Sequence, residues 1–291
     1  MLNIAILTAD PANYSNKRMI SAGKGLGHNV YTLLTHEQVI PSHDHIYLSE
    51  LDRTPDAVIP RIGVSLSDFG QKLINIFENA NIPTTVSSYG FINSRDKFLA
   101  GQLLSRCGLA IPKTTLFTNI DKLNDAIESI GGYPFIFKAV KGTQGDTVFL
   151  INDINTAKKI ISEYINERRP FLIQEFISDS EGSDIRCFVI EKEVVAAMKR
   201  TAKFGDFRSN IHAGGLGSMT EITHEERKMA IDAANFLNLP IAGVDILRSN
   251  NGPKLLEVNS SSGLEEIERV TSINIAYKII KLVEKMVYKN E

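Results

Sequence analysis

Residues 243–259, GVDILRSNNGPKLLEVN, constrain this chain more than any other stretch. Two apolar runs flank the turn residues Ser249, Asn250, Asn251 and Gly252, which predicts a β-hairpin. Centred near Asn251, that hairpin sets Asp245 opposite Glu257, and two directly opposed carboxylates repel and weaken a sheet. Strand periodicity then places Asn259 on the same face as Glu257. Ordinary surface acids on a solvent-facing strand would also give this pattern. The apolar neighbours favour a buried face, however, and burial demands a cation. Two carboxylates and an amide oxygen form a hard-oxygen set suited to magnesium, which also takes oxygens from a nucleotide's phosphates.

Three groups of cations bear on that reading. Lys138 interrupts the apolar strand PFIFKAV, where a buried lysine needs an anion and an edge lysine would snorkel to water. The loop after it, KGTQGDTV, can offer backbone N–H groups to phosphate, although an ordinary hairpin turn explains it equally well. Lys97 falls in the first turn of a helix predicted from Ser94 to Cys107, with Gly108 as its C-cap. The helix dipole disfavours a cation there unless an anion or solvent compensates. The run KRTAKFGDFRSN supplies Lys199, Arg200, Lys203 and Arg208. A net charge of −2 and little aromatic interleaving speak against nucleic acid, so cations aimed at phosphoryl charge fit the hairpin better.

The first 90 or so residues alternate strand and helix, which argues for a parallel sheet flanked by helices. LNIAIL, VYTLL, DAVIPRIG and PTTV read as strands, with helices over Ser15–Leu26 and about Ser67–Ala80. The loop TADPANYS has no glycine, so a dinucleotide fingerprint is missing. Further on, PFIFKAV, TVFLI, a helix near Thr156–Asn166 and FLIQEFI follow one another. Antiparallel IRCFVI and EVVAAMKR come next, then a helix over His224–Asn238 and the hairpin. A final helix, Asn274–Tyr288, carries Ile275, Ile279, Leu282, Val283 and Met286 on one core-facing stripe. With 291 residues and 43% apolar content the chain suits two or three modest domains sharing a cleft. The expected fold is α/β (α+β), divided as 1–93, 94–183 and 184–291. Cys107 and Cys187 lack metal or disulfide spacing, and none of the six histidines, His212 included, shows metal or triad spacing. No leader or long apolar segment is apparent, so a soluble cytoplasmic protein is expected, with neither membrane nor direct nucleic-acid contact.

Several segments in this order resemble the RimK family of ATP-grasp ligases: AVIPRIG, RDK, GTQGDTV, QEFI, SDIRCFVI, EVVAA, GDFRSNIHAGG, AGVDILR, EVNSSSGLEEIE and INIA. The resemblance runs from LNIAIL to the last helix. It implies an ATP-grasp fold whose two later subdomains clasp ATP. It also implies that Lys97 and Lys138 hold the α- and β-phosphates and that Gly142, Thr143, Gln144 and Gly145 belong to a mobile flap. Gln174, Glu175, Phe176 and Ile177 then form the hinge whose backbone meets adenine, with Asp184 near the ribose. Arg208 steadies the transferred phosphate beside Asn210. Asp245, Glu257 and Asn259 are the magnesium ligands, for two ions, with manganese as a substitute. Arg61, Arg186 and Arg200 are the implied substrate contacts. Two departures stand out. Thr147 and Asp146 stand where the family's flap carries a second glycine and an apolar residue, and NSSSG replaces NASPG after the metal-binding Asn.

The activity so implied joins glutamate to the C-terminal peptide of a small-subunit ribosomal protein, through an acyl phosphate, in a homo-oligomeric enzyme. A sibling ligase acting on a carrier protein or making free poly-glutamate is the nearest alternative. A non-catalytic ATP-binding regulator is the alternative of another class, and an RNA-binding ribosome-associated factor is disfavoured by charge.

Overall fold

The computed structural model describes residues 1–38, 54–140, 148–203, 207–209 and 214–289. The N-terminal part begins with β1 (Asn3–Thr8), α1 (Tyr14–Gly25), β2 (Asn29–Leu34), β3 (Ala57–Arg61) and α2 (Ser67–Asn79). The strands form a parallel sheet in the order β2-β1-β3. Ile4, Ala5, Ile6 and Leu7 of β1 are all fully buried, because a central parallel strand is covered on both faces.

The PTTV segment is not a strand. It makes one isolated parallel bridge, Val58 to Thr84, and then turns into a helix capped by Ser87. Pro83 accepts from Val58 through its carbonyl but has no N–H to donate to a ladder. The helix expected from Ser94 to Cys107 is also redrawn. Its start belongs to α3 (Ser88–Arg95), and α4 runs Lys97–Arg106. Asp96 breaks the two apart, accepting from the backbone of Phe98 at 3.0 Å and Leu99 at 2.9 Å. A short acidic side chain competes with the helix ladder in this way and becomes an N-cap.

The central part comprises β4 (Thr114–Thr115), α5 (Leu123–Ser129), β5 (Phe135–Ala139), β6 (Val148–Ile151), α6 (Ile154–Asn166) and β7 (Phe171–Glu175). Its antiparallel sheet has the order β4-β7-β5-β6. One face is packed with aromatics: the Phe137 ring stacks on Phe171 at 5.3 Å and meets Tyr164 edge-on at 4.7 Å. With Phe135 and Phe137 on the core face, alternation turns Lys138 to the opposite face.

The last part contains β8 (Ser183–Ile190), β9 (Glu193–Thr201), β10 (Leu216–Met219), α7 (His224–Phe236), β11 (Ile241–Leu247), β12 (Lys254–Asn259), α8 (Glu265–Thr271) and α9 (Ile275–Tyr288). Its five strands are antiparallel in the order β10-β9-β8-β11-β12. A capping box starts α7, with Thr223 and Glu226 each satisfying the other's backbone. The α9 stripe is buried as its spacing predicts, packing chiefly on α1 in the core that also holds Ile4 and Ile6. His28 adds a polar tie, accepting from Leu2 N–H at 3.1 Å and meeting Glu284 at 2.7 Å.

Candidate active site

The hairpin forms as β11 and β12, and Asp245 pairs with Glu257. A β-bulge between Asp245 and Ile246 lets Ile246 pair with Leu255, so Leu256 is the extra residue. Such bulges re-aim side chains beside functional sites. On its other side Asp245 pairs with Arg186 of β8, which grips both carboxylate oxygens, with Nη2 to Oδ2 at 2.7 Å. Arg200 reaches the same Oδ2 at 2.9 Å. Burial pushes the Asp245 carboxyl up, but Arg186 and Arg200 outweigh it and hold it below the ordinary carboxylate range. The repulsion expected between the opposed acids is offset by these guanidiniums. Asn259 donates its amide N–H to Asp245 at 3.4 Å, which leaves the amide oxygen for another partner.

Both lysines converge on this hairpin. Lys97, the first residue of α4, stands 4.0 Å from Glu257 Oε1. Lys138 Nζ donates to Gln174 Oε1 at 2.7 Å, and its formal counter-charges are Glu257 and Asp245. Burial pulls Lys138 down to about 8; Glu257 opposes the fall and Lys97 adds to it. Around the hairpin, four cations (Lys97, Lys138, Arg186 and Arg200) face three carboxylates (Asp184, Asp245 and Glu257), an excess of positive charge suited to a polyanion.

The set fits a hard divalent cation: two carboxylates and one amide oxygen on one strand pair. Among the described residues no group of three or more His, Cys, Asp and Glu side chains gathers into a metal site. The hairpin's two acids with its amide are the candidate set among the described residues.

The predicted hinge, Gln174–Ile177, spans the end of β7. Gln174 bridges Lys138 to Thr114 Oγ1, the latter at 2.9 Å. Glu175 accepts from Lys254 Nζ of β12 at 2.9 and 3.0 Å and from Lys113 N–H at 3.1 Å. The strand bearing Glu257 and Asn259 is thereby tied to the hinge. Phe176 meets Phe207 edge-on at 6.4 Å, and Ile177 is buried.

Asp184, expected near the ribose, and Arg200, expected at the substrate, pair with each other. Asp184 is only 2% exposed, clasped by Arg200 through two hydrogen bonds of 2.7 Å and capped by Ser209. Arg200 is 6% exposed between Asp184 and Asp245. The two are cross-strand partners, and opposite charges facing each other across a sheet pair off. Arg208 is half-buried with its guanidinium 6.0 Å from the Phe207 ring. Gly142, Thr143, Gln144, Gly145, Asp146, Thr147, Asn210 and His212 lie outside the described residues.

Ser262 was not anticipated from the sequence. Its carbonyl accepts from Arg61 Nη1 at 2.7 Å and its hydroxyl from Arg186 Nη1 at 3.1 Å. Gly243 of β11 makes this possible, since a Cβ there would stand 1.8 Å from Ser262 Oγ. Gly243→Ala is expected to cost about 1–3 kcal/mol in a thermal melt. Turnover should fall with it, because Arg61 and Arg186 lose their anchor. Arg95, Lys254 and the Gln174 side chain also belong to the site. The only sequence signal for Arg95 and Lys254 was a cation beside an already assigned residue.

Comparison with known proteins shows the family. Residues 94–283 match the RimK-like ATP-grasp domain and residues 2–91 the RimK PreATP-grasp domain. A relative from Nitrosococcus oceani named "Probable alpha-L-glutamate ligase" is 43% identical over 288 residues, covering 98% of this chain and 96% of the relative. One of the same name from Marinomonas is 40% identical over 299 residues, covering 99% and 97%. The solved structure of the ATP-grasp ligase PsnB with minimal precursor, Mg and ADP superposes with a TM-score of 0.74 at 17% identity, covering 98% of each chain. The family models and these relatives define an ATP-grasp ligase, an enzyme that forms a carbon–nitrogen bond. The chain belongs to the RimK family.

Proposed function

We propose that the protein uses ATP and magnesium to join L-glutamate by its amine to the C-terminal carboxylate of a small-subunit ribosomal protein. The observation that carries this reading is the meeting of Lys97 and Lys138, from two separate elements, with Asp245, Glu257 and Asn259 of the hairpin. The names of the relatives support glutamate, and the PsnB complex supports a nucleotide with magnesium. The ribosomal acceptor rests on the likeness of the segments to the family.

The reaction requires no protein nucleophile. The acceptor carboxylate attacks the γ-phosphorus, ADP departs, and the acyl phosphate so formed is attacked by the amine, giving an amide and phosphate. Magnesium held by Asp245, Glu257 and Asn259, in two ions and replaceable by manganese, would neutralise charge on the phosphates. Lys97 and Lys138 hold the phosphates from the other side. Arg186 and Arg200 keep Asp245 ionised and correctly turned. Arg208 steadies the transferred group, and the 142–145 flap excludes water from the acyl phosphate. Gln174–Ile177 receive adenine, with Glu175 fixed by Lys254. In this scheme residues 94–183 and 184–291 are the two clasping units and 1–93 precedes them.

The test is incubation with ATP, magnesium, glutamate and purified ribosomal protein, followed by phosphate release and product mass. The expected result is mass increments of whole glutamate residues on the ribosomal protein, matched by phosphate. Glutamate oligomers alone would transfer the activity to a free acceptor. Nucleotide binding without phosphate release would overturn the ligase reading.

A further inference from the structure

A groove of about 700 Å³ lies where the turn between β8 and β9 meets α9. Five lysines rim it: Lys192 on the turn, Lys278, Lys281 and Lys285 on α9, and Lys289 just past its end. The four on and after the helix are spaced so that they share one face. Glu191, Glu193 and Glu284 oppose the five, which leaves a net charge of +2 (five minus three) in a chain whose total is −2. Lys285 donates to both oxygens of Glu191 at 2.7 Å, and Lys281 pairs with Glu284. Among the described residues Lys192, Lys278 and Lys289 make no ion pair.

Such a row is unfavourable for the fold, since like charges one turn apart on a helix repel. The negative end of the helix dipole attracts cations, which accounts for Lys285 and Lys289. Lys278 sits in the first turn of α9, where the same dipole disfavours it, and Lys192 is on a strand turn. The dipole leaves these two unexplained. The floor of the groove is apolar: Ile190, Val195 and Leu282 are each less than a tenth exposed. Ammonium groups around an apolar floor suit a carboxylate carried on a short aliphatic stem, as in a glutamate side chain. Every cation of the rim is a lysine. Arginine's planar fork favours phosphate and nucleic acid, whereas lysine is a hydrated point charge that holds a carboxylate without fixing its angle. Tyr277 is the lining's one aromatic ring, too few to stack a run of bases. A row of carboxylates fits the groove best.

We propose that this groove holds the run of glutamates already joined to the acceptor, an acidic peptide trailing behind its reacting carboxylate. The occupant rests on the ligase reading above. Arg186, Phe188 and Ile190 alternate onto one face of β8, so the clasp on Asp245 and the groove lie along one strand. Ile190 stands four residues beyond Arg186, ~13 Å at about 3.3 Å per residue. An extended peptide needs about four residues to cover that distance, and α9 packs on the same strand, so a path over the surface is longer. The first glutamates are therefore joined without help from the groove. Longer tails reach it, and the acceptor is then retained between additions. Exposed lysine–carboxylate pairs are individually weak, which lets the tail slide as it grows.

The test titrates the full-length protein into fluorescein-labelled octa-L-glutamate and reads anisotropy. Wild type is expected to bind the peptide and to lose affinity as ionic strength rises. The triple variant Lys192→Gln, Lys278→Gln, Lys289→Gln should bind about 10-fold more weakly, with its melting temperature unchanged. The same charge change at the exposed Lys72, Lys158 and Lys159 should leave binding as in wild type. In the ligation assay the groove variant should keep its kcat and its KM for the unmodified ribosomal protein. Its KM for an acceptor already carrying an octaglutamate tail should rise about 10-fold. Its products should shorten towards about four glutamates where wild type goes further. Undiminished peptide affinity in the groove variant, unchanged product lengths, or wild-type tails never longer than about four glutamates would overturn the proposal. So would tighter binding of a single-stranded RNA octamer than of the peptide. Failure of the groove alone shows as intact ligation with unaltered tails; peptide binding by a protein that joins glutamate to no acceptor overturns the ligase reading and the tail as occupant with it.

Discussion

Glu257→Gln is expected to lower turnover by about 10³-fold or more while leaving the melting temperature within a few degrees of wild type. Among the described residues its ion pair is with Lys97 at 4.0 Å, and about a third of the side chain is exposed. Partly exposed pairs of that kind contribute about 0–1 kcal/mol, so the fold has little to lose. The glutamine keeps the shape and one oxygen but removes the charge a divalent ion requires. Asp245→Asn should behave differently. It removes the anion shared by Arg186 and Arg200 in a site 3% exposed, and breaking a buried pair costs about 3–5 kcal/mol. Fold and turnover should fall together there. The contrast is read by thermal melts beside initial rates, and similar stability losses in both variants would contradict this account of the hairpin.

Lys138→Met should have the opposite signature, a more stable protein that no longer binds nucleotide. Wild type holds an ammonium in a site that burial disfavours, pulling its pKa down to about 8 from the ordinary value near 10.4. Below pH 8 both folded and unfolded chains carry the proton, and the full desolvation cost is present. Between about pH 8 and 10.4 the unfolded chain binds more protons than the folded one, so wild-type stability rises with pH. The methionine variant lacks this dependence. At pH 7 it should exceed wild type by about 1–2 kcal/mol, less than the shift alone implies because Gln174 Oε1 loses its donor. The gap should narrow as pH climbs through 8 towards 10. Affinity for an ATP analogue should fall by about 100-fold at the same time, from loss of a charge-assisted phosphate contact. A variant less stable than wild type at pH 7, or one with intact nucleotide affinity, would show Lys138 to be structural.

How far the sequence foretells this arrangement depends on the range of the interactions involved. The opposition of Asp245 and Glu257 is legible to within one residue because both lie in one short hairpin. The register next to the turn, Leu247 with Lys254 and Ile246 with Leu255, would set Asp245 against Leu256; the bulge that skips Leu256 brings in Glu257 instead, and no turn residue announces it. Lys138 stands out as a charge in an apolar strand, and Lys97 as a cation at a helix start. The break at Asp96 escapes a reading by periodicity because α3 and α4 carry apolar residues on both sides of it. The pairing of Asp184 with Arg200 is not legible either, because it depends on the register of β8 and β9, which sets the two face to face and buries both. Arg95 Nε and the hydroxyls of Ser260 and Ser261 are buried without a hydrogen-bond partner among the described residues, and no spacing in the chain announces that enclosure.

The most direct test of the account is a structure determined with manganese and a non-hydrolysable ATP analogue, using the anomalous signal of the metal to locate it. The account predicts manganese bound by carboxylate oxygens of Asp245 and Glu257 and the amide oxygen of Asn259, and bridged to the nucleotide's phosphates. Metal and phosphates found elsewhere, with the Asp245 and Glu257 carboxylates contacting only protein and solvent, would contradict it.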